Sequence, residues 1–185
     1  MKKQALALLA ASIIASATCA SVQAASTTLT VNGGNIKFMG SVVDAPCAVA
    51  LESEDQIVHI EQVTLKSLGK ADEVSGQAKQ FYVYLTNCDV STYTNAAITF
   101  SGQTDAASAG DLANTAGSGA AVNVALRLFG PDGQKMEVNS GTASGTVPLS
   151  TGQNTIPMSV DYLSTSDTPT AGSVEAVATF QIIYS

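Results

Sequence analysis

Val174-Glu175-Ala176-Val177-Ala178-Thr179-Phe180-Gln181-Ile182-Ile183-Tyr184 closes the chain, one residue before Ser185. Val174, Ala176, Ala178, Phe180, Ile182 and Tyr184 share one phase of a period-2 repeat, with Glu175, Thr179 and Gln181 in the other. Successive side chains of a strand point to opposite faces, so the stretch reads as a strand with one apolar side. Near the other end, Thr27, Leu29 and Val31 alternate with Thr28, Thr30 and Asn32 until Gly33-Gly34 interrupt them. An apolar strand at a sheet edge offers unpaired N–H and C=O groups to any neighbour. Two such strands, one at each end, predict that both pair with other chains. The pattern is that of a protein built to polymerise.

Between these ends the chain reads as short strands and turns. Ile36, Phe38, Gly40 and Val42 predict one strand, ending at Ala45-Pro46-Cys47, and the stretch from Gln56 to Val63 predicts another. Phe81, Val83 and Leu85 alternate with Tyr82, Tyr84 and Thr86 directly before Cys88. Ala96, Ile98 and Phe100 follow, then Val122, Val124, Leu126 and Leu128. Gly130-Pro131-Asp132-Gly133 has proline at the second position of a turn, after which Met136 and Val138 resume the alternation. Ile156, Met158, Val160 and Tyr162 make a further face. Strands separated by turns, with little helical periodicity, predict an all-β sandwich. Residues 102–121 and 139–145 are rich in small polar residues and read as surface loops.

The first 24 residues read as a secretory signal peptide. Lys2 and Lys3 precede the apolar Ala5–Ala17 run, and Val22-Gln23-Ala24 places small residues at −3 and −1 for cleavage before Ala25. Cys19 leaves with it, which leaves Cys47 and Cys88. In an oxidising compartment the expected state of a lone pair is a disulfide. A metal site would need further ligands, and the single His59 does not supply them. The formal charge is −7, and the mature chain loses two of its eight basic residues, so a phosphate backbone would repel it. Nucleic acid is not an expected partner.

Residues for catalysis do not assemble in the sequence. His59 lies in a strand pattern with no Ser-His-Asp order, nucleophile elbow or phosphate loop beside it. The acidic run Glu52-Ser53-Glu54-Asp55 lacks calcium-loop spacing and reads as a solvated loop. No enzyme activity, metal or cofactor is expected.

Several motifs together carry a resemblance. They are Val31-Asn32-Gly33-Gly34, then Phe38-x-Gly40-x-Val42-Val43-x-Ala45-x-Cys47, then Phe81-x-Val83-x-Leu85-x-x-Cys88. Asn154-Thr155-Ile156-Pro157 and Ala171-Gly172 follow, with Gly172 fourteenth from the C-terminus and Tyr184 penultimate. The chain resembles a type 1 fimbrial major subunit of the chaperone–usher pilin family over essentially its whole mature length. The resemblance implies an incomplete immunoglobulin-like β-sandwich lacking its final strand, with a hydrophobic groove where that strand would lie. It implies a donor-strand extension over residues 25–35, with Thr27, Leu29, Val31 and Gly33 facing the groove of the next subunit, and a pilin domain over 36–185. Gly172, Val174, Ala176, Ala178, Phe180, Ile182 and Tyr184 would form the groove-edge strand that a periplasmic chaperone engages before an outer-membrane usher assembles the homopolymer on the cell surface. A minor or adaptor pilin is the nearest alternative. A carbohydrate-binding tip adhesin fits less well, since it would carry an additional lectin domain.

Overall fold

The structure, a computed structural model, describes residues 28–185. The expected signal peptide, the cleavage point and Thr27 lie outside the described residues. The chain divides into two units, residues 1–40 and residues 41–185, and the second holds all the regular structure described below.

In chain order the strands are β1 (Ala48–Val49), β2 (Lys79–Cys88), β3 (Asn95–Gly102), β4 (Leu112–Ala113), β5 (Val124–Phe129), β6 (Lys135–Met136), β7 (Val147–Pro148), β8 (Gly152–Ser164) and β9 (Ala178–Tyr184). One sheet has the order β1-β2-β8-β5-β4, with β6 also on β5; the other has the order β7-β3-β9. Every pairing between these strands is antiparallel. Leu85, Ile98, Phe100, Leu126, Ile156 and Met158 from both sheets share one buried core. This is the two-layer β-sandwich that the alternating strands predict, of the immunoglobulin-like kind that the resemblance implies.

Sequence pattern explains several details. Phe81, Val83 and Leu85 point inward along β2, and strict alternation would then turn Cys88 outward. A register shift between Leu85 and Cys88 resets the phase. Asn87 occupies it at φ 54°, a left-handed conformation that asparagine tolerates better than most residues. Cys88 is thereby buried and reaches Cys47. Pro157 sits inside β8 opposite Tyr82, yet β5 pairs with β8 only from Ser159 onward. The missing N–H therefore falls where one side of β8 has no ladder to serve. The 130–133 turn forms as expected, with the Gly133 N–H donating to the Gly130 carbonyl at 3.0 Å.

Three expectations need correction. Ile36, Phe38, Gly40 and Val42 form no strand, and Ile36, Phe38 and Val42 are exposed. Their alternation specifies two faces but cannot supply a ladder partner. Residues 56–63 keep the expected alternation, with Val58 and Ile60 turned toward the core, but belong to no strand and make no backbone–backbone hydrogen bond to any described residue. The 102–121 stretch is more than a surface loop, since it contains β4 and buries Asp111, Leu112 and Ala113. Its small polar composition concealed a short strand anchored by one charged side chain.

Candidate functional site

The alternation at the C-terminus is borne out residue by residue. Val174, Ala176, Ala178, Phe180, Ile182 and Tyr184 are half-buried, and the residues between them are exposed. Ladder pairing begins at Ala178, and β9 lies against β3 from Ala178 opposite Gly102 to Tyr184 opposite Ala96. Among the described residues β3 is its sole partner, so the other edge of β9 has free backbone donors and acceptors.

Along that free edge runs an apolar groove of about 480 Å³. Ala176, Ala178 and Phe180 form one rim, Val58 and Ile60 the other, and Phe81, Phe100, Leu112, Leu126, Leu128 and Val160 the floor. The aromatic rings are in contact, with Phe100 6.4 Å from Phe81 and 6.3 Å from Phe180 between centroids. Among the described residues neither rim has a ladder partner on the groove side. A second cavity, about 350 Å³, lies between the continuations of the same two segments, lined by Val63 and Leu65 on one side and by Gly172 and Val174 on the other. The site is therefore long, narrow and apolar, with backbone hydrogen-bonding groups along its margins. Those features suit an extended peptide with apolar residues at alternate positions.

The predicted site residues separate into groups. Ala176, Ala178 and Phe180 line the main groove, while Gly172 and Val174 line the second cavity. Ile182 and Tyr184 continue the same face beyond the groove. The Tyr184 hydroxyl donates to the Cys47 carbonyl at 3.4 Å, its ring lies 6.4 Å from Tyr93, and burial raises its pKa. Gly172 has a steric explanation. Ser173 and Ala120 form a parallel bridge, and a Cβ at Gly172 would collide with the backbone of Gly119–Ala121. Cys47 and Cys88 form the expected disulfide, with Cα atoms 4.1 Å apart. In the other unit, Leu29 is 89% exposed, Val31 is also exposed, and neither these nor Gly33 lie in a strand.

Sequence reasoning missed three lining residues. Val58 and Ile60 were legible as a strand face, but their place across from β9 was not. Leu112 was missed because it stands alone in a polar stretch. Behind it, on the opposite face of the same strands, is a charged cluster. Arg127 donates to both carboxylate oxygens of Asp111, at 3.0 and 2.9 Å, and to Asp72 at 2.6 Å. Ser108 donates to Asp111 at 2.6 Å, and the Lys135 ammonium is 3.3 Å from it. Burial pushes the Asp111 carboxyl up, but the Arg127 and Ser108 hydrogen bonds and the two cations outweigh burial and hold its pKa below the ordinary value. Among the described residues no three His, Cys, Asp or Glu side chains are placed to hold a metal.

Comparison with known proteins places this fold among pilus subunits. A family model described as Fimbrial protein matches residues 36–185, so the chain belongs to the fimbrial protein family, whose members are structural pilins. It is 35% identical over 186 residues to the type-1 fimbrial protein A chain of Escherichia coli, covering 100% of both chains. It is 34% identical over 178 residues to the fimbrial subunit type 1 of Klebsiella pneumoniae, covering 95% of this chain and 97% of that one. The fold is shared with a solved chaperone–usher pilus, at TM-score 0.69 and 24% identity over 86% of this chain and 99% of that one. The P pilus rod subunit PapA superimposes at TM-score 0.61 with 22% identity, over 76% of this chain and 100% of that one. Such homologues polymerise with other subunits into surface fimbriae.

Proposed function

We propose that the chain is the shaft subunit of a type 1-like fimbria, and that it polymerises head-to-tail by giving its N-terminal segment to the groove of the next subunit. The observation that carries this reading is the match between the groove and that segment. The groove lacks a strand along β9, and Leu29 and Val31 present alternate apolar side chains with no ladder of their own. A second exposed alternating set, Ile36, Phe38 and Val42 with Gly40 in phase, follows in the opposite phase, and the reset falls at Gly33-Gly34, where Gly34 has φ 102°. The donor segment proposed here therefore runs on to Val43, past the 25–35 bounds drawn from the sequence. Burying each large side chain would contribute about 1.5–3 kcal/mol, and each new ladder bond a net of about 0.5–1.5 kcal/mol. Because the donating segment and the receiving groove are different surfaces, the contact is heterologous and generates a filament when it does not close.

Before assembly the free edge of β9 is an aggregation hazard. A periplasmic chaperone that lends a strand to this edge would cover it, and an outer-membrane usher would then exchange that strand for the incoming subunit's segment. The route is export through the periplasm to the cell surface. The test is to purify the full exported chain and follow assembly by gel electrophoresis and electron microscopy. Polymers that resist SDS and appear as thin fibres are expected. A chain that stays monomeric at every concentration contradicts the proposal.

A further inference from the structure

The charged cluster behind the groove has a role that the strand-donation reading above does not assign, and the following inference rests on that reading. β4 is only two residues long, with Leu112 opposite Leu126 and Ala113 opposite Ala125. Leu112 and Leu126 face the groove, together with Leu128. Their chain neighbours Asp111 and Arg127 face the other way and join there. Asp111 is fully buried, and the Arg127 side chain is only 12% exposed. Arg127 also reaches Asp72, whose own backbone N–H donates to the Ser164 carbonyl at the end of β8. Lys135 of β6 completes the set. Pieces of four chain segments are thus fastened on the back of the sheet directly behind the groove floor.

The fastening extends to the rim. Immediately after β4, Asn114 accepts a hydrogen bond from the Glu175 N–H at 3.0 Å and donates to the Ser173 carbonyl at 2.9 Å. The Thr115 N–H donates to the Glu175 carbonyl at 2.8 Å. Residues 173 and 175 lead directly into Ala176 and Ala178 of the groove rim. A shift of β4 would therefore move Leu112 in the floor and the start of the rim together. Beyond its two-residue ladder to β5, β4 has among the described residues only one isolated bridge, Leu112 to Thr104. There the Ala113 N–H donates to the Gln103 carbonyl at 2.8 Å and the Asp105 N–H to the Asp111 carbonyl at 3.0 Å, and neither of these ties β4 to the groove floor or the rim.

We propose that the buried Asp111–Arg127 pair is a positioning device for the strand-accepting groove, setting Leu112 and the 173–178 rim so that an incoming donor strand is held tightly. A buried pair with a bidentate fork is suited to this, since its geometry is directional and loss of one partner strands the other charge.

The experiment uses the full exported chain, diluted below the concentration at which it assembles, and a labelled synthetic peptide copying residues 27–43. The peptide's residence time is measured alongside the thermal unfolding midpoint. Asp111→Asn should shorten residence at least about tenfold. Ile156→Ala, a truncation of a fully buried core residue that does not line the groove, should lower the midpoint while leaving residence within about twofold. Arg127→Lys keeps the charge but loses the planar fork, and should shorten residence about threefold with a smaller change in midpoint. It decides the matter alone if Asp111→Asn does not fold. Residence that tracks the midpoint equally in all folded variants, or that Arg127→Lys leaves unchanged, overturns the positioning role. A native chain that never captures the peptide overturns the donor-groove reading instead, and this inference with it.

Discussion

Residues 28–43 and residues 174–184 carry the same kind of pattern and have different fates. Both alternate apolar and polar side chains. In 174–184 the apolar phase is half-buried, and the strand from Ala178 is laddered against β3; in 28–43 the apolar side chains are exposed and no ladder forms. Alternation therefore specifies which face of a strand wants burial, and says nothing about whether the same chain supplies the covering. The C-terminal segment has a partner in its own chain for one edge. The N-terminal segment has none for either edge among the described residues. A complementary half-site and an unpaired segment, in one chain, are the two components that a linear polymer requires.

The sharpest way to break this comparison is to put a charge in each region. Val31→Asp and Phe38→Asp should leave the fold of the subunit unchanged within about 0.5 kcal/mol, because those side chains are already exposed. Fibres should be lost completely, since the groove would have to desolvate a carboxylate. Phe180→Asp should instead damage both folding and assembly, since Phe180 packs on Phe100 in the core. Circular dichroism of the monomer and microscopy of fibres separate the two outcomes.

Next in size is the disulfide, which belongs wholly to the folded body. It closes a loop across a sequence separation of 41, and Cys88→Ser should lower stability by about 4 kcal/mol by the loop-entropy relation. Denaturant melts of the oxidised chain and the variant measure this directly. Acid should act similarly on the body and spare the N-terminal segment. Asp111 has a folded pKa below its ordinary 3.8, so its stabilising contribution is present above that value and is lost as the pH falls through the folded pKa. Asp111→Asn should flatten the acid limb of the stability profile while costing about 3 kcal/mol near neutrality, as Arg127 loses its buried partner. The smallest effect expected is from Tyr184→Phe. It removes one long hydrogen bond to the Cys47 carbonyl and should cost about 0.5–1 kcal/mol in thermal melts without altering fibre yield.

Much of the sandwich was legible because its strands obey a period of two over five or more residues. The inward faces of β2, β3, β8 and β9 follow from apolar alternation, as do Val124, Leu126 and Leu128 of β5, whereas Val122 of the same expected face is exposed and lies outside β5; the 130–133 turn follows from its proline and glycines. The disulfide was legible from two cysteines in a chain whose first residues read as an export signal. What escaped was decided by partners rather than by pattern. Ile36–Val42 alternates as well as β9 does, yet no strand forms there. Leu112 and Asp111 gave no periodic signal, because a two-residue strand held by one buried carboxylate is too short to have a period. Of the candidate site, the β9 rim was readable, but the floor drew Phe81, Phe100, Leu126 and Val160 from four separate strands, and only the topology brings them together.

Hydrogen exchange on the full chain, compared between monomer and assembled fibre, tests the central claim most directly. Amides of residues 28–43 and of the free edge of β9 should exchange readily in the monomer and become protected together in the fibre, along with residues 56–63 on the opposite rim. Fibres in which β9 gains protection while residues 28–43 remain as exchangeable as in the monomer would contradict strand donation by that segment.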